Sequence, residues 1–153
     1  MRSASSPSTL DAHLGYWLRR VSNHVSSSFA RALQEEGVSV AEWVAMRLIY
    51  GEVKRASGDL ATITGMTRGA MSKVLEKLES KGLVVRATDP DDNRIQWLSL
   101  TRKGMQRVPK LAALADRNDA QFFGRLDTRE QAELRRILEK MTQVHRLADV
   151  PMD

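Results

Sequence analysis

The chain has 153 residues, of which 42% are hydrophobic and 28% charged, an ordinary globular composition long enough to bury a core. Its formal net charge of +5 suits a polyanionic partner without requiring one. With no cysteine, disulfide frameworks, thiol nucleophiles, cysteine zinc sites and thiol redox sensing are excluded, and no apolar run reaches the roughly eighteen residues of a membrane span.

The opening MRSASSPST is small and polar with no apolar core, so residues 1–8 are expected to form a disordered tail rather than a signal peptide, and the protein to be cytoplasmic. Ser8 and Asp11 have capping-box spacing for a first helix. Leu10, Leu14, Trp17, Leu18, Val21, Val25, Phe29 and Leu33 then recur at helical intervals until Gly37. Ser39 and Glu42 box a second helix through Trp43, Met46, Leu48 and Ile49 to Gly51. Ser57 is the expected cap of a third, carrying Leu60 and Ile63 and stopped by Gly65. Thr67 caps a fourth that turns Met71, Val74, Leu75 and Leu78 inward and ends before Gly82.

After Gly82 the period changes. LVVRA and RIQWLSL read as two strands, and DPDDN between them as the turn of a hairpin with a loop of roughly five to eight residues. Thr101 caps a fifth helix through Leu111, Leu114 and Phe122 to Gly124, in which Pro109 signals either a bend or a late start. Asp127 and Glu130 box a last helix striped by Leu134, Ile137, Leu138, Met141, Val144 and Leu147. The fold class is therefore mainly α with a small β-wing, six helices in one domain. A winged helix-turn-helix lobe at 39–101 is flanked by long terminal helices at 9–36 and 102–147. Long apolar-striped helices around a lobe that can seal itself point to a homodimer.

The tight ITGMT connection suits a helix-turn-helix, whose second helix enters the major groove. With its apolar residues inward, that helix presents Thr67, Arg68, Ser72, Lys73 and Lys77. Arg68 is the candidate for a bidentate contact to guanine, Ser72 and Lys73 for base edges or phosphates, and Thr67 for a phosphate as well as the cap. From Thr67 to Arg86, five cations (Arg68, Lys73, Lys77, Lys81, Arg86) stand against Glu76 and Glu79, an excess of three. In the wing, Arg94 has two readings: a guanidinium entering the minor groove, held by Asp92 two residues away, or a surface ion pair that steadies the hairpin. Asp89 and Asp91 are left to shape the turn or to bind Arg86.

An enzyme has no support. His13, His24 and His145 lack metal-ligand spacing, and no phosphate-cradling or nucleophile-elbow motif occurs, so no catalytic, metal or cofactor residue is assigned. The stronger rival is a winged helix serving as a protein-interaction module of a larger assembly, without sequence-specific DNA binding. Cations and small polar residues on the fourth helix favour DNA.

LATITGMTRGAMSKVLEKLESKGLVVR, the wing DPDDNRIQWLSLT and the Gly at 104 resemble the multiple-antibiotic-resistance regulator (MarR) family of winged-helix transcription regulators. The D-x-R pair ahead of L-x-L-T-x-x-G is the most specific element, and the resemblance covers about residues 10 to 147. It implies a homodimer on a pseudo-palindromic operator, with Thr67–Lys77 in the major groove, Arg94 in the minor groove and Asp92 positioning the wing. It further implies a repressor of transcription, released by a small aromatic or phenolic acid bound between the dimerisation helices and the DNA-binding lobe. The candidate effector pocket comprises Tyr16, Trp17, Arg20 and His24 on the first helix and Trp43, Met46 and Arg47 on the second. The competing reading makes Trp17, Trp43 and Met46 core residues and lets Arg20 reach to solvent.

Overall fold

A computed structural model describes residues 6–148 and 150–152. Part of the expected N-terminal tail, residues 1–5, lies outside the described residues; Ser6, Pro7 and Ser8 are exposed and irregular. A single 3-10 turn, Leu10–Ala12, precedes α1 (Leu14–Glu35). The Ser8–Asp11 capping box does not form. The long helix starts after His13, too far from Ser8, whose hydroxyl lies 3.2 Å from His13 Nε2 instead. The Asp11 carbonyl accepts from the Trp17 indole at 2.8 Å.

α2 (Val40–Ile49) opens on the expected reciprocal box, with Glu42 N–H donating to Ser39 Oγ at 3.2 Å and Ser39 N–H to Glu42 Oε2 at 2.7 Å. A two-residue strand, β1 (Arg55–Ala56), leads into α3 (Ser57–Thr64). Ser57 is thus the first helical residue and not the cap. Ala56 takes the cap position, extended because β1 pairs it with Trp97. α4 (Arg68–Ser80) is capped by Thr67, which accepts from Ala70 N–H at 3.2 Å.

β2 (Val84–Thr88) and β3 (Gln96–Leu100) form the hairpin, and the antiparallel sheet has the order β1-β3-β2. α5 (Arg102–Phe123) begins directly after its Thr101 cap, so Pro109 marks no late start; it sits inside a continuous helix and deprives it of one N–H donor. α6 (Thr128–Val144) has the expected Asp127–Glu130 box. It ends at Val144, short of Leu147, and Arg146 beyond its end turns left-handed at φ 52°. Among the described residues no helix is long and apolar enough to cross a membrane.

One core joins these elements through Leu33, Met46, Ile49, Leu60, Met71, Leu75, Leu78, Leu98 and Leu111, all fully buried. Each contributes about 1.5–3 kcal/mol relative to exposure. Gly104, the glycine of the L-x-L-T-x-x-G pattern, has a steric reason. A Cβ there would overlap the Leu83 carbonyl oxygen, which accepts from Thr101 N–H at 3.0 Å where α5 starts beside the chain leaving α4. Outside the core the helices are bare: α6 buries no residue and α1 only Leu33. Leu14, Leu18 and Val21 on α1 and Ile137, Leu138, Met141 and Val144 on α6 are exposed.

Candidate nucleic-acid interface

The turn between α3 and α4 needs a left-handed residue, and Gly65 supplies it at φ 66°. From there the 3.6-residue period sorts α4 into two faces. Met71, Leu75 and Leu78 enter the core and Val74 packs against it, while Thr67, Arg68, Lys73 and Lys77 are exposed and Ser72 is half-exposed. The Ser72 hydroxyl donates to Glu76 Oε1 at 3.2 Å.

Two of the five cations counted along this stretch are not on that face. Lys81 is held by Glu42, with Nζ–O distances of 2.7 and 2.8 Å. Arg86 is paired with Glu79, not with Asp89 or Asp91 as the alternative wing reading allowed. Arg68, Lys73 and Lys77 remain, and none makes an ion pair among the described residues.

Asp89 has other work in the wing. Its carboxylate accepts from the Trp97 indole at 2.7 Å and from the backbone N–H groups of Asp91 and Asp92 at 2.9 and 3.0 Å. The Trp97 bond first, then the backbone bonds, hold its pKa below the ordinary carboxylate value. Lys54 Nζ lies 4.0 Å from the centroid of the same indole, a cation–π contact at the wing root. Sequence reading missed both Trp97 and Lys54. The available signal was Trp97 alternating away from buried Leu98, opposite Ala87 and two residues along the hairpin from Asp89.

At the tip Arg94 donates through Nε and Nη2 to the two Asp92 oxygens, both at 3.0 Å, while its backbone N–H donates to Oδ1. The Arg94 side chain is 89% exposed, so the bidentate pair leaves its outer edge to solvent. The Arg94 contact is also the main reason the Asp92 carboxyl stays ionised below its usual range. Arg68, Ser72, Arg86, Arg94 and Gln96 line one cleft of about 450 Å³ between α3, α4 and the wing. Helix start and wing tip therefore face the same side. Nothing in that cleft resembles a nucleophile with its base; it presents guanidinium and hydroxyl groups suited to phosphate and base edges.

The seven candidate effector residues are not brought together. Met46 is fully buried and Trp43 nearly so, edge-on to Phe29 with centroids 6.3 Å apart. Phe29 lies twelve residues beyond Trp17, about 18 Å along α1. At the far end Tyr16, Trp17 and Arg20 form their own cluster: Arg20 donates to the Tyr16 hydroxyl at 3.3 Å and stands 5.9 Å from the Trp17 centroid. His24 is exposed on α1, and exposed Arg47 leans over Tyr50. Periodicity alone cannot separate a pocket wall from a core residue, and here the core took Trp43 and Met46.

Comparison with known proteins agrees with this geometry. The chain is 33% identical over 131 residues to the HTH-type transcriptional repressor Rv2887 of Mycobacterium tuberculosis, covering 86% of this chain and 94% of that one. BpsR of Bordetella bronchiseptica superposes with a TM-score of 0.76 at 22% identity, over 90% of this chain and 98% of that one. MepR of S. aureus, solved bound to DNA, does so with a TM-score of 0.76 at 20% identity, over 86% and 98%. The sequence pattern of the MarR family matches residues 36–95, from the end of α1 through α2, α3, α4, β2 and the wing loop. From the α3–α4 turn to the Asp92–Arg94 pair, the chain belongs to the MarR family of winged-helix, DNA-binding transcription regulators.

Proposed function

We propose that two copies of this chain pair through the terminal segments 9–36 and 102–147 and, as a cytoplasmic repressor, bind a pseudo-palindromic operator with the two lobes at 39–101. The observation that carries the reading is that Arg68 and Arg94 line one cleft, so the start of α4 and the wing tip can engage one duplex together. Arg68 takes the base-reading role, with Thr67, Ser72, Lys73 and Lys77 on bases and phosphates, and Arg94, steadied by Asp92, in the minor groove. The exposed apolar stripes of α1 and α6 support pairing, because such faces are costly in water and self-complementary under two-fold symmetry. The name of the M. tuberculosis relative supports repression.

A small aromatic acid is the effector in this reading. BpsR has its DNA binding regulated by 6-hydroxynicotinic acid. In this chain Tyr16, Trp17 and Arg20 offer aromatic walls and a cation, with His24 on the same helix, and a second copy over α1 would enclose them.

Fluorescence anisotropy with the chain's own upstream intergenic DNA, against a random duplex of equal length at two salt concentrations, tests the reading. Preferential, steeply salt-dependent binding at two chains per site is expected. Equal weak binding to both duplexes would favour the protein-interaction module. Addition of 6-hydroxynicotinic acid to the preformed complex tests the effector class.

A further inference from the structure

The C-terminal end of α4 is fastened by a half-buried ion pair that lies outside the Arg68–Arg94 cleft. Glu42 on α2 is 2% exposed, and both its oxygens accept from Lys81 Nζ, at 2.7 and 2.8 Å. Oε2 also accepts the Ser39 N–H that closes the capping box. Lys81 Nζ donates again to the Gly37 carbonyl at 2.8 Å. With these three contacts the ammonium group's three donors are occupied, and none is left for a phosphate.

Lys81 is also the residue that caps α4, and other helix ends meet there. Its carbonyl accepts from Lys103 Nζ at 2.8 Å, and the Gly82 carbonyl accepts from Thr101 Oγ1 at 2.7 Å. Arg107 on α5 reaches Glu36 at the end of α1, at 2.8 Å. The end of α1, the start of α2, the end of α4 and the start of α5 are thus tied at one junction.

The length of α4 turns that junction into a fulcrum. Its 13 residues span about 20 Å, so a tilt of about 5° at Lys81 moves Arg68, at the other end, by nearly 2 Å. Hydrogen bonds to base edges tolerate a few tenths of an ångström. We infer that Glu42 and Lys81 are positioning residues for DNA binding: their clamp holds α4 to the α1–α2 corner and so sets the spacing at which two copies present Arg68 to DNA. The inference rests on the dimer reading of the preceding section.

Glu42→Gln is the discriminating variant, because two explanations give it opposite signs. It keeps the shape and an oxygen for the Ser39 N–H but removes a negative charge. Bulk electrostatics alone would then tighten DNA binding, whereas loss of the clamp loosens it. The probe is a duplex selected from a random-sequence library by the wild-type protein, used also with one base pair inserted between its half-sites. Light scattering and circular dichroism first establish that each protein is a folded dimer.

Glu42→Gln is expected to bind the selected duplex about tenfold more weakly, the scale of one lost bidentate contact. It should lose less than wild type on the inserted duplex and keep the wild-type slope of log K against log salt. Lys81→Met, which retains an apolar stem, should behave alike, and Lys81→Arg should recover part of the affinity. Wild-type or tighter binding by folded, dimeric Glu42→Gln overturns the inference. So does a salt slope reduced by about one in Lys81→Met, which would mark a direct phosphate contact. A monomeric wild-type protein, or one that selects no duplex, overturns the dimer reading and this inference with it; the light-scattering mass separates that failure from failure of the clamp.

Discussion

The lobe and the terminal helices obey the same amphipathic rule with opposite results. In the lobe the apolar residues of α2, α3, α4 and β3 close on each other, with Leu33 and Leu111 as lids from α1 and α5. On α6 and the front of α1 an equally regular stripe faces solvent; Leu14 is 87% and Val144 66% exposed. A helical stripe in sequence states only that a face needs cover. Whether cover comes from the same chain depends on whether three-dimensional neighbours exist, and among the described residues none buries any residue of α6.

The largest effect that would sharpen this contrast lies on the bare side. Changing Ile137 and Met141 on α6 to Asp should leave the lobe folded, since neither is in its core, but abolish pairing. Light scattering should report monomers, and operator affinity should fall about a hundredfold or more as the second half-site ceases to be linked to the first. Retention of the dimer mass would mean that this face of α6 is not a pairing surface.

On the sealed side, Gly104→Ala forces a methyl group into the Leu83 carbonyl and should cost about 3 kcal/mol, read as a lowered unfolding midpoint in urea. Unchanged stability would mean that α5 slides freely over the lobe. Within the proposed DNA-facing surface, two exposed cations of α4 should part company. Arg68→Ala should weaken the preferred duplex about tenfold and relax its sequence choice, whereas Lys77→Ala should weaken every duplex alike and lower the salt slope by about one.

Arg94→Ala comes next in size. A several-fold loss of affinity with an unchanged melting temperature is expected, because the Arg94–Asp92 pair lies at the exposed tip; a lowered melting temperature would make the pair a structural brace. The smallest effect is acidic. Burial raises the Glu42 proton affinity, but the Lys81 hydrogen bond, then the Ser39 backbone and the Lys81 charge, outweigh it and leave the pKa below its ordinary value. The clamp's contribution to stability is therefore complete above about pH 4.3, the ordinary Glu value, and is lost as pH falls through the lower folded value. Urea midpoints from pH 6 to pH 3 should drop less in Glu42→Gln than in wild type.

Much of the fold was legible because caps and stripes are local rules. Ser39, Thr67, Thr101 and Asp127 each announce a helix within three residues, and the solvent-exposed side of α4 follows from its period. Ser8 and Ser57 misled by the same rule. Each has capping chemistry, but His13 and the pairing of Ala56 with Trp97 fix the helix starts elsewhere. Partners distant in sequence were not legible. Nothing local joins Lys81 to Glu42, 39 residues away, or chooses Glu79 over Asp89 for Arg86. β1, at two residues, is too short to show a period.

In the wing, the indole of Trp97 has the Lys54 ammonium over its face and donates its N–H to the Asp89 carboxylate, so two opposite charges touch one ring. Its emission colour is therefore tied to the wing tip staying folded against the root. The other two of the chain's three tryptophans lie elsewhere, Trp17 on α1 and Trp43 in the core. With those two changed to Phe, the wing becomes an intrinsic optical gauge that registers the arrival of a duplex without any attached dye.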